Sequence, residues 1–522
     1  MRRARGATAP ATRIRFPAPA TCATKRTERL FATISTPAGY GAPDARWDTW
    51  RICEFAEILG FYGLQYWYAW QVTVLGLGPI WMSRNEELKQ RAGRLLEDGG
   101  IFAFGLSERE HGADIYSTEM TLTPVGEGRY VANGRKYYIG NGNAAALVST
   151  FGKLGGRGTG AGDYVFFAVD PRHEGYELVK NVVASQNFVS EYALHDYPIT
   201  EGDILAKGQD AWDNALNTVN VGKFNLGWAT IGICTHAFYE AIHHAAHRRL
   251  YGMHVTDMSH VRRMFVDAYA RLVAMKLFAL RAADYMRAAS PQDRRYLLYN
   301  PMVKMKVTTQ GESVIDLLWD AIAAKGFEKN MYFEQAAVDI RALPKLEGTV
   351  HVNIALIVKF MPSYFFAADD SLNVLPEVPR RDDAANDDFL FAQGPARGLG
   401  SIRFHDYRKS LASWDLPHVA LLAEQIEVFR EMLATVPPDE AHADGVRAAH
   451  DPEAGRGRRA LRPGVERDGA AAPGRLRDEP VSAGEPAANL QEVLVTGEAI
   501  PVVAAEGLLH VRLEVASRHG VG

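Results

Sequence analysis

Cysteine is scarce in this 522-residue chain. Cys22, Cys53 and Cys234 are too far apart in the sequence to form a metal-binding or redox motif. This spacing argues against a disulfide scaffold of the kind that small secreted proteins use, and it favours a reducing, cytoplasmic location. The formal net charge of −4 gives no reason to expect a nucleic-acid partner.

Charge is absent from residues 61–82, a run that is long enough to span a membrane. Gln65, Gln71 and Pro79 interrupt the run, and its aromatic residues are scattered rather than gathered at its ends. We therefore expect no membrane span here. We interpret the segment as a buried helix and loop in an N-terminal helical part of the protein.

Both ends of the chain lack the residues that a packed segment needs. Residues 1–45 carry eight basic and two acidic side chains among Ala, Thr and Pro, while lysine is absent after Lys409 and aromatics after Phe429. Segments that bury little apolar surface cannot offset their chain entropy, so we expect disorder in residues 1–45 and 441–522. The first segment resembles a transit peptide, and both resemble a gene read in a wrong frame.

The informative stretch is Phe104–Asn141. Two alternating segments, Glu119–Val125 and Arg129–Ile139, flank a glycine-containing connection, which predicts a β-hairpin, and a further turn is expected at Asn133-Gly134. Before them, the small residues of 111–114 predict a loop whose backbone amides can come close to a planar or anionic ligand. The local pattern alone favours a plainer interpretation, a β-sandwich with ordinary turns.

The periodicity changes from helix to strand and back to helix. Ser83 and Glu86 predict a capping box for a helix that ends at Glu97. The strands expected after the hairpin are Ala146–Phe151, Asp163–Val169, Tyr176–Val183 and Glu191–Ile199. The long helices expected after them are Leu216–Arg249, Met258–Ala289, Met302–Ala324 and Thr349–Phe360. Four such helices in succession predict a bundle.

These patterns divide the chain into six segments. We expect a disordered or mistranslated N-terminus at 1–45, part of a helical domain at 46–100, a β domain at 101–210, a helical bundle at 211–365, a helical extension at 366–440 and a disordered tail at 441–522.

The motifs of the central stretch resemble the acyl-CoA dehydrogenase family. Ser107-Glu108, then Gly112-Ala113-Asp114, then residues 133–141 are similar to the family's T-E-P-x-x-G-S-D and N-G-x-K-x-W-I-T-N. The similarity runs from about residue 83 to residue 365. It implies the fold of that family, with an N-terminal helical segment, a middle β-sandwich domain and a C-terminal four-helix bundle, and it implies FAD as the cofactor.

The resemblance also implies which residues contact the cofactor. They are Phe104, Leu106, Ser107, Gly112, Ala113, Tyr138, Gly140, Arg248, Tyr251, Asp320, Thr349 and His351. Ala113 stands where the family usually has Ser, Tyr138 where it has Trp, and Gly140 where it has Thr. Each departure changes or removes a hydrogen bond to the flavin, so the chain resembles a divergent branch.

Glu347 precedes the fourth predicted helix. By local pattern alone, a Glu at a helix start is a cap or a partner of the helix dipole. Its surroundings resemble the family's Y-E-G-T, whose glutamate is the catalytic base in many members. Other members place the base at a position that aligns with Gly222, which has no side chain to accept a proton. The resemblance therefore implies Glu347 as the base, with Lys223 and Gly348 at the substrate.

Two further motifs imply an oligomer. Residues 248–252 resemble the family's R-x-x-F-G, whose first Arg reaches the pyrophosphate of an FAD held mainly by the neighbouring subunit. By local pattern alone, Arg248 and Gly252 are an ordinary helix end. Residues 320–327 resemble the family's adenosine-contacting loop, with Asp320 in place of Gln. The resemblance implies a homodimer or homotetramer.

In function, the resemblance implies an FAD-dependent enzyme of fatty acid metabolism. It would dehydrogenate an acyl-CoA thioester and pass the electrons to an electron-transferring flavoprotein. The alternatives are an acyl-CoA oxidase, which gives its electrons to oxygen, and a non-catalytic product of a damaged reading frame. Residues 366–440 are too short for the second helical bundle of acyl-CoA oxidases, which favours the dehydrogenase.

Overall fold

The computed structural model describes residues 29–155, 161–186, 188–375, 387–396 and 398–435. Within them, helices come first, a sheet of eight strands follows, and further helices come last. The change from helix to strand falls between Glu97 and Phe102, and the change back falls between Lys207 and Gln209. This order of elements agrees with the predicted fold class.

Aromatic side chains hold the first helices together. The helices are α1 (Leu30–Ser35), α2 (Thr49–Tyr62), α3 (Leu64–Met82) and α4 (Glu86–Glu97). The ring of Phe31 lies 4.5 Å from that of Trp70 and 6.1 Å from that of Phe55, so α1 packs on both α2 and α3. The expectation of disorder is therefore wrong for residues 29–45, because Phe31 and Ile34 are buried. Residues 1–28 lie outside the described residues.

The uncharged segment forms α3, which is buried against the sheet. Trp67 and Trp70 are fully buried. Gly76 lets the helix approach the first strand, β1 (Phe102–Gly105), because a Cβ at this position would lie 2.7 Å from the backbone nitrogen of Ala103. In the described part of the chain, no helix is both long and apolar enough to cross a membrane.

Helix α4 is capped by a different residue from the one predicted. The side chain of Asn85 accepts a hydrogen bond from the Leu88 N–H at 3.0 Å. The expected capping box of Ser83 and Glu86 is wrong, because the Ser83 hydroxyl donates instead to the Ile80 carbonyl at the end of α3.

Eight strands join in one hydrogen-bonded sheet, and Arg249–Leu250 and Met253–His254 form a separate two-stranded ribbon. The remaining strands are β2 (Thr121–Gly126), β3 (Arg129–Gly140), β4 (Leu147–Leu154), β5 (Tyr164–Val169), β6 (Tyr176–Asn181), β7 (Val189–Thr200) and β8 (Ile204–Lys207). Their order is β6-β7-β3-β2-β4-β5-β8, with β1 parallel to β4. The turn expected at Asn133-Gly134 is wrong, because β3 continues through it and the pairing with β7 shifts there, as at a β-bulge.

The second helical part contains more breaks than the sequence pattern predicts. Its helices are α5 (Gln209–Gly222), α6 (Phe224–His247), α7 (Ser259–Arg287), α8 (Tyr296–Met302), α9 (Thr308–Ile322), α10 (Phe333–Ala342), α11 (Val350–Val358) and α12 (Met361–Phe366). The long helix predicted from residue 216 is divided at Lys223, although that residue keeps helical backbone angles. A π-helical segment, Val303–Val307, joins α8 to α9. The ten-residue α10 is too short to give a clear periodic signal.

Arg295 attaches the following segment to this helical part. Its guanidinium pairs with Asp293 at 2.7 Å, donates to the Asn373 carbonyl at 2.8 Å and contacts Nδ1 of His405 at 3.1 Å. The expected extension therefore contains packed structure, including α13 (Tyr407–Ala412) and α14 (Pro417–Thr435). The tail expected at 441–522 lies outside the described residues.

Replacing Arg295 tests this attachment. Arg295 is 3% exposed, and Arg295→Met leaves Asp293 and the backbone carbonyl without their cation. We expect a loss of roughly 3 kcal/mol in the free energy of unfolding, measured by denaturant titration. Arg408→Met is the matched control, because Arg408 forms the same kind of pair with Asp406 in a more exposed place. It should cost less than about 1 kcal/mol, and equal losses would contradict the account.

Candidate active site

The loop between α10 and α11 carries Glu347 in an unusual backbone conformation. Glu347 has φ of +52° and Gly348 has φ of +91°. Two successive left-handed residues reverse the chain direction, and Thr349 then caps α11 by accepting a hydrogen bond from the Val352 N–H. The reversal directs the Glu347 side chain towards α3 and α5.

One oxygen of the Glu347 carboxylate is held and the other is not. Oε1 accepts a hydrogen bond from Nε2 of Gln71 at 2.7 Å. The same amide donates to the Gly222 carbonyl at 3.0 Å, and its own oxygen accepts from Asn225 at 3.1 Å. Oε2 is inaccessible to solvent and has no hydrogen-bond donor among the described residues. A buried polar atom without a partner is expected where a ligand binds.

Gly222 makes room for this carboxylate. A Cβ at Gly222 would lie 3.1 Å from Oε2 of Glu347 and 2.5 Å from the Leu75 side chain. The two positions that the resemblance offers for a base therefore lie side by side. A side chain on one would crowd the other, which is consistent with glycine at one and glutamate at the other.

Burial and nearby lysines set the charge of the site. Burial raises the pKa of Glu347 to about 7, although the Gln71 hydrogen bond and the charges of Lys304 and Lys223 oppose the rise. Burial lowers the pKa of Lys223 to about 8 and that of Lys304 to about 7, and the Glu347 charge opposes both shifts. A carboxyl group with a pKa near neutral is well suited to act as a general base.

A buried ion pair shapes the loop that precedes the hairpin. Nζ of Lys136 donates to the Glu108 carboxylate at 2.7 Å and to the Leu106 carbonyl at 2.9 Å. Glu108 also accepts from the backbone N–H groups of Glu119 and Met120. Burial acts to raise the pKa of Glu108, but Lys136 and the hydrogen bonds outweigh it and hold the pKa below its usual value. Lys136, which belongs to β3, thus holds the loop to the sheet from its buried side.

Tyr138 and Gly140 lie at the end of β3 nearest α3. Tyr138 has φ of +60° and is 57% exposed. A Cβ at Gly140 would lie 2.7 Å from the Tyr68 ring and 3.1 Å from its hydroxyl. Burial, followed by the charges of Glu347 and Tyr138, raises the pKa of the Tyr68 phenol. Tyr68 therefore lies close to both the base and the predicted flavin contacts.

The other predicted residues fall into three places. Phe104 is buried in the core, with its ring 5.9 Å from that of Phe166, and Ser107 donates to the Tyr137 carbonyl. Residues on the surface include several of the predicted cofactor contacts: Gly112, Ala113, Tyr251, Asp320, Thr349 and His351. Leu106 is half-buried against the core, whereas Lys223 and Gly348 lie beside Glu347.

Arg248 and part of the 320–327 loop meet in one groove. Its volume is about 1160 Å³, and Arg248, Ala324 and Lys325 line it with the histidines of α6. Burial, Arg248 and Lys325 lower the pKa of His244 in its wall. Glu240 and Glu328 also line the groove, and Lys325 pairs with Glu328, so Arg248 is the cationic side chain best placed for an anionic ligand. The predicted contacts Asp320 and Tyr251 are not among its lining residues.

Sequence reasoning missed Tyr68, Gln71, Asn225 and Lys304. Gln71 and Tyr68 fall in the uncharged segment, where Gln71 counts only as an interruption of the apolar run and Tyr68 only as one of its scattered aromatics. Asn225 and Lys304 look like ordinary polar positions on helices. A buried amide or amine inside an apolar pattern is the signal that would have singled them out.

Comparison with known proteins shows similarity to acyl-CoA dehydrogenases. The C-terminal domain of acyl-CoA dehydrogenase matches residues 210–361. The caffeyl-CoA reductase-Etf complex subunit CarC of Acetobacterium woodii is 27% identical over 49% of this chain and 68% of its own length. Butyryl-CoA dehydrogenase from Megasphaera elsdenii superposes with a TM-score of 0.61 and 19% identity, covering 66% of this chain and 89% of that one.

A further solved structure, acyl-CoA dehydrogenase complexed with FAD from Bacillus anthracis, superposes with a TM-score of 0.59. It is 19% identical and covers 65% of this chain and 62% of that one. Residues 210–361 thus match the C-terminal domain of acyl-CoA dehydrogenases, and the chain shares the fold of solved members of that family. The predicted resemblance to this family, the predicted fold class and the prediction of an oxidoreductase are therefore confirmed.

The raised pKa of Glu347 predicts a pH-dependent cost to stability. The folded protein holds the Glu347 proton more tightly than the unfolded chain does, so stability falls as pH rises from 4.5 towards 7. Each pKa unit is worth about 1.4 kcal/mol, so Glu347→Gln should gain about 3 kcal/mol relative to wild type across this range.

Denaturant titrations at several pH values test this expectation. Glu334→Gln, which changes an exposed carboxylate on α10, is the control and should follow wild type. Parallel pH curves for wild type and Glu347→Gln would contradict the assignment of a buried, hard-to-ionise carboxyl group to this position.

Proposed function

We propose that this chain is an FAD-dependent dehydrogenase that removes the α- and β-hydrogens of an acyl-CoA thioester. The observation that carries the proposal is the Glu347 carboxylate, whose Oε1 is held by Gln71 while Oε2 is buried without a partner. The names of the relatives, which include acyl-CoA dehydrogenases and an acyl-CoA reductase, support this class of substrate.

The residues around Tyr138 fit a planar cofactor. The Tyr138 ring is largely exposed, and nothing lies within 4 Å of a Cβ placed on Gly112. Ser107, the backbone near Gly112 and Tyr138 would hold the flavin, while Ala113 and Gly140 offer no hydroxyl group to it. Bound there, FAD would supply an acceptor for the β-hydrogen, which would leave the substrate as hydride. The FAD complex of the Bacillus anthracis homologue supports this choice of cofactor.

The proton is handled by the residues of this chain. Oε2 of Glu347 takes the α-proton, so the carboxylate becomes a carboxylic acid while the C–H electron pair moves into the forming double bond. Gln71 keeps Oε1 in place, which leaves Oε2 for the substrate. By family analogy, the backbone N–H of Glu347 donates to the thioester oxygen and stabilises the enolate-like charge. Lys223 and Lys304 favour the ionised form of the base before the transfer.

The groove at Arg248 supports an oligomeric enzyme. Arg248 and Lys325 both line it, and the resemblance implies that Arg248 reaches the pyrophosphate of a neighbour's FAD. We include a homodimer or homotetramer in the proposal, together with an electron-transferring flavoprotein as acceptor and a cytoplasmic location. The Etf complex of the Acetobacterium relative supports the choice of acceptor.

Reductive bleaching of the flavin tests the catalytic role of Glu347. Wild type, mixed without oxygen with a panel of acyl-CoA thioesters, should lose its flavin absorbance with at least one of them. Glu347→Gln should retain the flavin but bleach at least about 1000-fold more slowly, because no other group at Oε2 accepts the proton. Glu334→Gln serves as the control and should bleach like wild type. Bleaching of Glu347→Gln at the wild-type rate would remove this residue from the mechanism.

The same reduced protein separates a dehydrogenase from an oxidase. The proposal expects slow reaction with oxygen while product is bound and fast reoxidation by an electron-transferring flavoprotein. Hydrogen peroxide formed in step with every turnover would instead establish the oxidase. Between α12 and residue 435, the described residues form two α-helices, α13 and α14, which are too few for a second bundle, and this favours the dehydrogenase.

Flavin content and particle mass test the role of the groove. Arg248→Met should lower the flavin-to-protein absorbance ratio severalfold, because it removes a contact to the phosphate of the FAD in the neighbouring subunit. The particle should stay a dimer or larger. Arg249→Met is the matched control, since that neighbouring side chain donates to the Gly252 carbonyl instead. Gel filtration with light scattering gives both quantities, and a flavin-loaded monomer of wild type would contradict the proposal.

A further inference from the structure

Lys304, in the π-helical segment, contacts the loop of residues 344–348 that carries Glu347. We call this loop the base loop. Its Nζ donates to the Pro344 carbonyl at 2.6 Å and also to the Gly348 carbonyl. One of these carbonyls precedes Glu347 in the loop and the other follows it directly. Lys304 itself is fully buried. A single ammonium group therefore joins the two ends of the loop that presents the carboxylate.

This loop needs an external support. Glu347 and Gly348 both have positive φ, and a residue with a Cβ pays a steric cost there that glycine avoids. Such a conformation persists only when its surroundings hold it. The Gly348 carbonyl is held twice, because Nδ2 of Asn353 also donates to it at 3.2 Å. Lys304 and Asn353 are thus the side chains that secure this end of the loop.

The position of Lys304 depends on a rare backbone feature. It lies in Val303–Val307, where the wider π-helical turn shifts side chains relative to the flanking α-helices. Such turns are poorly stable in isolation and are frequent at functional sites. Here the shifted register coincides with the residue that contacts the base loop.

A buried lysine can also serve stability alone, as Lys136 illustrates. Lys136 is equally buried, but it donates directly to the Glu108 carboxylate, so it is neutralised by its own partner. The hydrogen bonds of Lys304 go to uncharged carbonyl groups of the base loop. The acidic group that acts on Lys304 is Glu347. Burying an ammonium group that has no carboxylate in direct contact costs free energy of folding. We therefore expect Lys304 to be kept for its effect on Glu347 and on the base loop.

We propose that Lys304 is a positioning residue that fixes the 344–348 loop and so keeps the Glu347 carboxylate turned into the site. The inference rests on the proposed role of Glu347. It assigns Lys304 no contact with substrate or cofactor. Its effect is on geometry, so loss of Lys304 should slow the chemical step while substrate binding is largely kept.

Lys304→Met keeps the length and bulk of the side chain but removes the donor. Lys345→Met is the matched control, because Lys345 lies in the same loop with its amine directed outward to Glu312 and the Arg341 carbonyl. Hydrogen exchange of the amides of residues 343–349 should become at least about tenfold faster in Lys304→Met and stay unchanged in Lys345→Met. In the bleaching reaction, the limiting rate constant at saturating substrate should fall roughly 100-fold. The substrate concentration that gives half this rate should stay within about threefold of the wild-type value.

Unchanged hydrogen exchange in Lys304→Met would overturn the proposal, whether or not the limiting rate constant falls, because a slower reaction on an unaltered loop means a direct chemical role. If Lys304→Met does not fold, Asn353→Leu removes the second support of the Gly348 carbonyl and must show the same faster exchange. Failure of wild type to react with any acyl-CoA would count against the proposed function. The exchange measurement would still decide the role of Lys304.

Discussion

The hydrogen bond from Gln71 to one oxygen of Glu347 is the contact around which the site is built. It joins α3 to the loop before α11, two parts of the chain that are 276 residues apart. Because Gln71 also donates to the Gly222 carbonyl, the same amide connects α3 and the Glu347 loop to the end of α5. The contact leaves Oε2 buried and free to accept a proton, which is what a base requires.

The rest of the molecule can be understood as support for this contact. Helix α3 packs on strand β1 of the sheet, and Gly76 allows this close approach. On the other side, Lys304 secures the loop that carries the carboxylate. Burial of ionisable groups costs stability, and the raised pKa of Glu347 is a measure of that cost. A dehydrated carboxylate with one oxygen that has no hydrogen-bond partner costs stability, and interactions elsewhere in the fold must offset that cost.

The sequence predicted the order of helices and strands because long periodic segments carry a strong signal. The prediction failed where contacts between distant parts of the chain determine the local structure. Ser83 and Asn85 are both good caps, and only the use of Ser83 by α3 makes Asn85 the cap of α4. Glu347 was found through a motif, and its role as base, like the substrate contacts predicted for Lys223 and Gly348, stays a prediction. Gln71 and Lys304 show in the sequence only as polar residues in an apolar pattern, and their roles are hidden because their partners lie far away in the chain.

Exchange of the substrate's α-hydrogens with solvent deuterium tests the central claim most directly. In D₂O, with an acyl-CoA thioester bound and the flavin already reduced, mass spectrometry follows deuterium entering the α-carbon. The account predicts exchange in wild type and its loss, by at least about 1000-fold, in Glu347→Gln. Exchange at the wild-type rate in Glu347→Gln would show that another group removes the proton, and the account would be wrong.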